Sequence, residues 1–182
     1  YIVCSVAGGT VDVSYDTNGG IASKTSETIQ PKKKYINNYP KKDGYTFSKW
    51  EVTNYSLNSK KYNASIDLKA KYSLTTYSIT YNLNGGSVSG NPSTYTINDS
   101  ITLNNPIKLG YTFTGWSGTD ISGLSTNVSF SNATGDRTYT ANWNANSYTV
   151  TLDPNGGSLS QTTIGVTYGS TYTLPTPTKE GY

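Results

Sequence analysis

Histidine and methionine are both missing from the 182 residues, and cysteine occurs once, as Cys4. Without His, Ser-His-Asp and Cys-His nucleophilic catalysis are excluded and the commonest metal ligand is lost. One Cys forms no intrachain disulfide and, with no His to join it, no zinc cluster, so stability has to come from packing. Cys4 sits in the β-prone run Tyr1-Ile2-Val3-Cys4-Ser5-Val6 with no neighbouring cation to lower its pKa, and reads as a small buried hydrophobe. No cofactor and no bound metal are expected. The lack of Met predicts a fragment of a longer product, with any leader or anchor outside it.

Charge is also scarce, at 14% of residues, and it is unevenly placed. Up to Tyr72 there are 11 Lys against 6 acids, net +5; beyond it there are 3 basic residues against 5 acids, net −2. The runs Lys32-Lys33-Lys34, Lys41-Lys42 and Lys60-Lys61 are the positions that would contact an anionic polymer, although blocks this short more often form a solvated face. Because the basic character does not persist beyond Tyr72, nucleic-acid binding is not expected. What the chain has in quantity is Gly (18) and Tyr (17), with abundant Ser, Thr and Asn, a composition that favours strands and turns over helices.

These residues are arranged in repeats. Pro106-Ile107-Lys108-Leu109-Gly110-Tyr111-Thr112-Phe113-Thr114-Gly115-Trp116 has an earlier copy in Pro40-Lys41-Lys42-Asp43-Gly44-Tyr45-Thr46-Phe47-Ser48-Lys49-Trp50, and a third begins at Pro177-Thr178-Lys179-Glu180-Gly181-Tyr182. Asn18-Gly19-Gly20, Asn84-Gly85-Gly86 and Asn155-Gly156-Gly157 each begin 26 residues before the Gly of Gly-Tyr (18 to 44, 84 to 110, 155 to 181). The spacings between units are therefore 66 and 71 residues, the extra five lying between Trp116 and Trp143, as a surface insertion in a repeated fold would. The divisions expected are a linker or end of a preceding unit at 1–10, unit 1 at 11–73, unit 2 at 77–143 and an incomplete unit 3 at 148–182.

Each unit opens on an alternating strand. Tyr77, Ile79, Tyr81 and Leu83 fall on one face and Ser78, Thr80 and Asn82 on the other, the pattern of a strand with one buried side. Asn-Gly-Gly supplies positive φ and predicts a hairpin; no helix start or Lys-Ser/Thr follows it to make an anion-binding loop. Ile101-Thr102-Leu103 reads equally as a short strand or one helical turn. After Pro-x-Lys-x-Gly-Tyr, Tyr111 and Phe113 share a face, with Trp116 on the other unless Gly115 marks a bulge. A closing strand ends in Tyr72 or Trp143, and the link to the next unit is five residues each time, which predicts a semi-rigid rod.

The Asn-Gly-Gly opening, the Pro-x-Lys-x-Gly-Tyr-x-Phe-x-Gly-Trp centre and the Ala-x-Trp close resemble the Listeria-Bacteroides repeat, or internalin B-repeat, family over residues 11–182. Unit 1 departs from it with Lys49 for Gly and Tyr72 for the closing Trp. The resemblance implies a mainly β chain, a tandem array of small β-grasp-like units of about four strands with little or no helix. It also implies an extracellular or cell-wall-attached bacterial location and no shared catalytic residue.

The expected function is a structural or adhesive module of a bacterial surface or secreted protein, a semi-rigid stalk or spacer meeting an unknown protein or cell-surface glycan. The alternative is a glycan-binding module using exposed aromatics or the basic first unit. Rings fixed by a repeat are more often core than binding surface. An enzyme using paired carboxylates, Asp120 with Asp136 or Glu51 with Asp67, is disfavoured because neither pair recurs. No membrane insertion is expected of these residues, and head-to-tail self-association ranks below simple truncation. Lys42, Lys108 and Lys179 are the lysines placed for isopeptide cross-links, against the plainer reading of solvated lysine at a turn.

Overall fold

The computed structural model describes residues 9–30, 38–59 and 63–181. The run containing Cys4, the lysines at 32–34, Lys60, Lys61 and Tyr182 lie outside the described residues. Strands and turns make up the described chain, and no helix occurs among the described residues.

The first four strands are β1 (Val11–Asp16), β2 (Ser26–Ile29), β3 (Tyr45–Asn58) and β4 (Asn63–Leu74), which form one mixed sheet in the order β2-β1-β4-β3. β1 and β4 are parallel at its centre, and both flanking pairs are antiparallel. The central strands alternate as a half-buried strand must: Val11, Val13 and Tyr15 point inward from β1, and Ala64, Ile66, Leu68 and Ala70 from β4. Ile29 and Trp50 complete this core.

The next strands are β5 (Tyr77–Asn82), β6 (Thr94–Tyr95), β7 (Ser100–Thr102), β8 (Tyr111–Gly118), β9 (Ser129–Ser131) and β10 (Arg137–Ala145). A second four-stranded sheet, β6-β5-β10-β8, repeats the first order, again with its opening and closing strands parallel. β7 pairs with β9 in a small separate sheet, so the segment that reads equally as strand or helical turn is a strand. Ile79, Tyr95, Leu103, Trp116, Val128, Tyr139 and Ala141 are buried. β11 (Ser147–Thr151) and β12 (Thr163–Thr167) form an antiparallel pair. Packing divides the chain into two compact units, one of Tyr1–Tyr77, Tyr95–Asp99 and Ser131–Gly135, the other of the remainder.

The Asn-Gly-Gly turns reverse the chain without closing a tight hairpin. Asn18 and Gly19 take φ of 50° and 81°, the left-handed pair of a type I′ turn, closed by the Gly20 N–H donating to the Thr17 carbonyl at 3.0 Å. The chain then bridges Ile21 to Lys41 before it returns to pair as β2. Ser87 with Ile107 and Ser158 with Thr178 repeat that bridge. A bulge is present beside Gly115: the register shifts between Asn142 and Trp143, leaving Thr114 unpaired. Trp116 thereby joins the face of Phe113, with ring centroids 5.5 Å apart. Ser48 is unpaired at the equivalent place in the first sheet, which skips a second residue at Thr53, and Phe47 meets Trp50 at the same 5.5 Å.

Candidate functional site

The residues that recur most strictly converge on the turn. Lys42 Nζ donates to the Asn18 carbonyl at 3.1 Å, Lys108 Nζ to Asn84 at 2.8 Å and Lys179 Nζ to Asn155 at 3.4 Å. Each ammonium crosses from the Pro-x-Lys-x-Gly-Tyr segment and satisfies a turn carbonyl. Lys42 also lies over the Tyr45 ring, 4.7 Å from its centroid, and Lys108 over Tyr111 at 4.1 Å. Lys42 and Lys108 thus face a backbone carbonyl and ring faces, and Lys179 a backbone carbonyl, so these lysines tie the turn in place of standing as freely solvated turn residues.

The Asn side chain works in the other direction. Asn18 Nδ2 donates to the Ala70 carbonyl at 3.3 Å and Asn84 Nδ2 to Ala141 at 2.9 Å, tying the turn to the closing strand. The closing aromatic completes the closure: Trp143 Nε1 donates to the Leu83 carbonyl at 3.1 Å, and Tyr72, which stands where the pattern has Trp, donates through its hydroxyl to the equivalent Thr17 carbonyl at 2.8 Å. The substitution keeps the bond and changes the donor atom. The second Gly of the triplet is required by that ring, because a Cβ at Gly86 would lie 2.5 Å from Trp143 Cζ2 and one at Gly20 would lie within 2.1 Å of the Tyr72 hydroxyl. The constant separation of 24 residues between Asn and Lys was the available signal for this pairing.

Among the aromatics, Tyr15 meets Trp50 at 5.0 Å and Phe113 meets Trp143 at 5.4 Å, so the repeated rings pack on one another. Trp50 Nε1 donates to the Asn38 carbonyl at 2.7 Å, whereas the buried Trp116 N–H has no partner among the described residues. Of the basic residues, Lys41 and Lys42 line an open groove of about 580 Å³ in the first unit with Tyr39, Tyr45 and Phe47, and Tyr39 is 68% exposed there.

The carboxylates are each taken up separately. Glu51 pairs with Lys71 at 2.9 Å, while Asp67 accepts from Ser14 Oγ and Asn54 Nδ2, and these donors hold both carboxyls below their ordinary range. Asp136 accepts the Ser78 N–H and is lowered by it, whereas Asp120 pairs with Arg137 at 3.0 Å. No group of three His, Cys, Asp or Glu able to hold a metal occurs among the described residues. Burial, with a smaller contribution from Tyr139, pushes the Tyr81 hydroxyl up to about 12. None of this brings an acid and a base to a shared substrate position.

The Gly of Gly-Tyr also carries a repeated contact. Within the first compact unit a Cβ at Gly44 would lie 2.5 Å from Ile97 Cβ, and within the second a Cβ at Gly110 would lie 2.3 Å from the Tyr168 ring. Ile97 and Tyr168 each follow the Asn of their own triplet by 13 residues (84 to 97, 155 to 168).

Two proteins of Evansella cellulosilytica are similar to this chain. One, named "Putative membrane protein", is 32% identical over 184 residues, covering 93% of this chain and 26% of its own length. The other, named "Putative Gly-rich membrane protein", is 29% identical over 178 residues, covering 93% of this chain and 20% of its own. The chain thus spans about a quarter or less of the length of these relatives. No solved structure matches it. No helix among the described residues is long and apolar enough to cross a membrane. The profile of the Listeria-Bacteroides repeat domain matches residues 12–75, 77–144 and 148–182, in register with the turn and lysine bond seen three times and the ring closure seen twice in the structure, and the chain belongs to that family.

Proposed function

We propose that this chain is a structural and adhesive module of a bacterial surface protein, a spacer that carries other segments away from the cell and offers its flanks to protein partners. The observation that carries this reading is the thrice-repeated tie of lysine to turn, joined twice by a closing ring, which directs the most regular residues of the chain to internal cohesion. Small repeated sheets that stabilise one another suit transmission of load and reach better than they suit a deep cleft. The membrane-protein names of the relatives are consistent with such a location. Catalysis has no place in this proposal, and the recurring polar residues act as turn and strand ties. Small-angle scattering tests it: an elongated distance distribution that lengthens in steps when a repeat is duplicated is expected, and a compact profile insensitive to duplication refutes it.

A second reading is favoured by the groove of Tyr39, Tyr45 and Phe47, where a half-open aromatic wall meets Lys41 and Lys42. Such a wall would stack on sugar rings. Glycan-array binding that disappears with Tyr39→Ala is its expected signature, and an array unaffected by that change removes it.

A further inference from the structure

Position 137 breaks the pattern of the closing strand. In the first sheet Val13 pairs with Ile66, an aliphatic residue of the core; in the second the equivalent pair is Ile79 with Arg137, the only arginine of the chain. Arg137 is 7% exposed. A guanidinium in a core position is expensive to desolvate, and the first sheet shows that the fold has no need of one there. The second sheet makes room for it with its longer excursion between β8 and β10. The chain turns out at Gly118, passes Asp120 at φ 58° and returns through Val128 and β9, lining a half-open cavity of about 380 Å³ within the second unit. That volume lies at the lower end of the range for small-molecule sites.

The cavity presents one fixed charge with an adjustable counterion. Arg137 lies on the Phe130 ring face, its carbon 4.3 Å from the centroid, and Nη1 donates to the Tyr139 hydroxyl at 3.3 Å. Asp120 Oδ2 meets the same Nη1 at 3.0 Å, yet the Asp120 side chain is 74% exposed against 8% for Arg137. An exposed carboxylate keeps most of its hydration, so withdrawing it into water costs little on its own side. The remaining wall is rich in hydroxyl and amide groups, from Ser122, Ser129 and Asn127 among others.

We propose that this cavity binds an acidic monosaccharide unit, a uronic acid, whose carboxylate replaces Asp120 on Arg137 while its ring hydroxyls meet the Ser and Asn wall. The planar guanidinium suits a carboxylate, and the Phe130 and Tyr139 rings fix its plane. Asp120 is then an internal stand-in for the ligand, which keeps the buried cation paired when the site is empty. The site shares no lining residue with the Tyr39 groove and does not depend on the spacer reading.

Titration of the intact chain with galacturonic acid and with its methyl ester, followed by NMR of the Phe130 and Tyr139 ring protons and the Arg137 side chain, tests this. Saturable shifts with the acid and none with the ester are expected. Asp120→Asn should strengthen binding about tenfold by removing the competing charge, and Arg137→Lys should weaken it about tenfold by removing the fork. Because changes at Arg137 can disturb folding, Ser122→Tyr, which fills the cavity from its rim, provides a second block and should abolish the shifts with the Arg137 resonances intact. Equal binding of acid and ester, weaker binding by Asp120→Asn, no saturation at all, or preference for an Asp-rich peptide over the sugar would each overturn the proposal.

Discussion

The first and second sheets share strand order and core positions but part company at one edge. β3 runs on past Trp50 as a long hairpin with β4, pairing out to Asn58 with Asn63, and leaves Val52, Tyr55 and Leu57 half or more exposed. β8 leaves its partner at Gly118, where a Cβ would lie 2.1 Å from the Thr138 carbonyl oxygen, and the excursion that follows folds back to bridge Ser125 to Trp116. That difference explains the residue at the bulge. Gly115 has φ 141° and a Cβ there would meet Ser125 N at 2.9 Å and Leu124 Cβ at 3.1 Å, so the returning excursion demands glycine. Lys49 takes the same place in the first sheet, where the strand continues and no such loop returns among the described residues. One fold thus tolerates two residue types at a signature position because the neighbourhood, and not the bulge alone, sets the requirement.

The central Trp shows the largest energetic consequence. Trp116 is fully buried, while Trp50 is only partly so. Trp116→Ala should destabilise by about 3–5 kcal/mol, as for other large-to-small core changes, and Trp50→Ala by less. Urea denaturation followed by NMR of the backbone amides of each sheet measures both. Equal costs would show that the excursion over Trp116 adds nothing to the second core.

Acid should separate the sheets next. Asp16, Glu51 and Asp67 of the first sheet all titrate below their ordinary values, Asp16 mainly through the Asn18 N–H and then Lys69, Glu51 through Lys71, and Asp67 through Ser14. Asn82 takes the place of Asp16 in the second turn and accepts the Asn84 N–H without a charge, leaving Asp136 as the lowered carboxyl described for that sheet. A folded-state pKa below the unfolded one gives stability that is complete above the unfolded value and is lost as pH falls through the folded one. The first sheet should therefore lose protection before the second as pH drops below about 4. Hydrogen exchange resolved by residue measures this, and simultaneous loss would contradict it.

Much of this architecture was legible because the repeat compares the chain with itself. The alternation at Tyr77–Asn82 marked a strand buried on one face, and the spacing of Phe113 and Trp116 left two faces open unless Gly115 marked a bulge, which the register shift supplies. What escaped were contacts between segments distant in sequence. Asn-Gly-Gly suggested a hairpin, yet the strand partner arrives only after the chain has bridged to the Pro-x-Lys segment, a detour that no local propensity encodes. Lys42 and Lys108 read as turn lysines because nothing nearby showed that the carbonyl 24 residues earlier was turned toward them. Arg137 carried a signal that position-by-position comparison with Ile66 exposes, but pairing residues across an insertion needs the register, which the structure provides.

The closing aromatics offer a smaller and cleaner contrast. Tyr72→Phe removes only the hydroxyl that donates to Thr17, so it should cost about 1 kcal/mol, the usual net value of one hydrogen bond. Trp143→Phe removes the bond to Leu83 together with ring area packed on Phe113, and should cost more. If the two changes cost the same, the hydroxyl bond in the first sheet is worth as much as the indole bond and its packing combined. Thermal unfolding of the two variants compares them directly.

The least effect is expected at the turn lysines, where the three repeats form a graded series. Lys108 makes the shortest bond, 2.8 Å, and lies closest to its ring; Lys42 follows at 3.1 Å and Lys179 at 3.4 Å. All three bonds are at the surface, where ring and ammonium contacts contribute about 0.5–1 kcal/mol. Replacing each lysine by Met keeps most of the aliphatic stem and removes the charge, so the loss isolates what the ammonium does for the turn carbonyl. The expected order is Lys108, then Lys42, then Lys179, read from local exchange rates of the amides at Gly86, Gly20 and Gly157. Those amides report because each closes its own turn onto a carbonyl, at 2.9 Å for Gly86 and 3.0 Å for the other two. A reversed order would mean that the geometry of the ammonium bond does not control the turn, and that the Asn side-chain bond to the closing strand does.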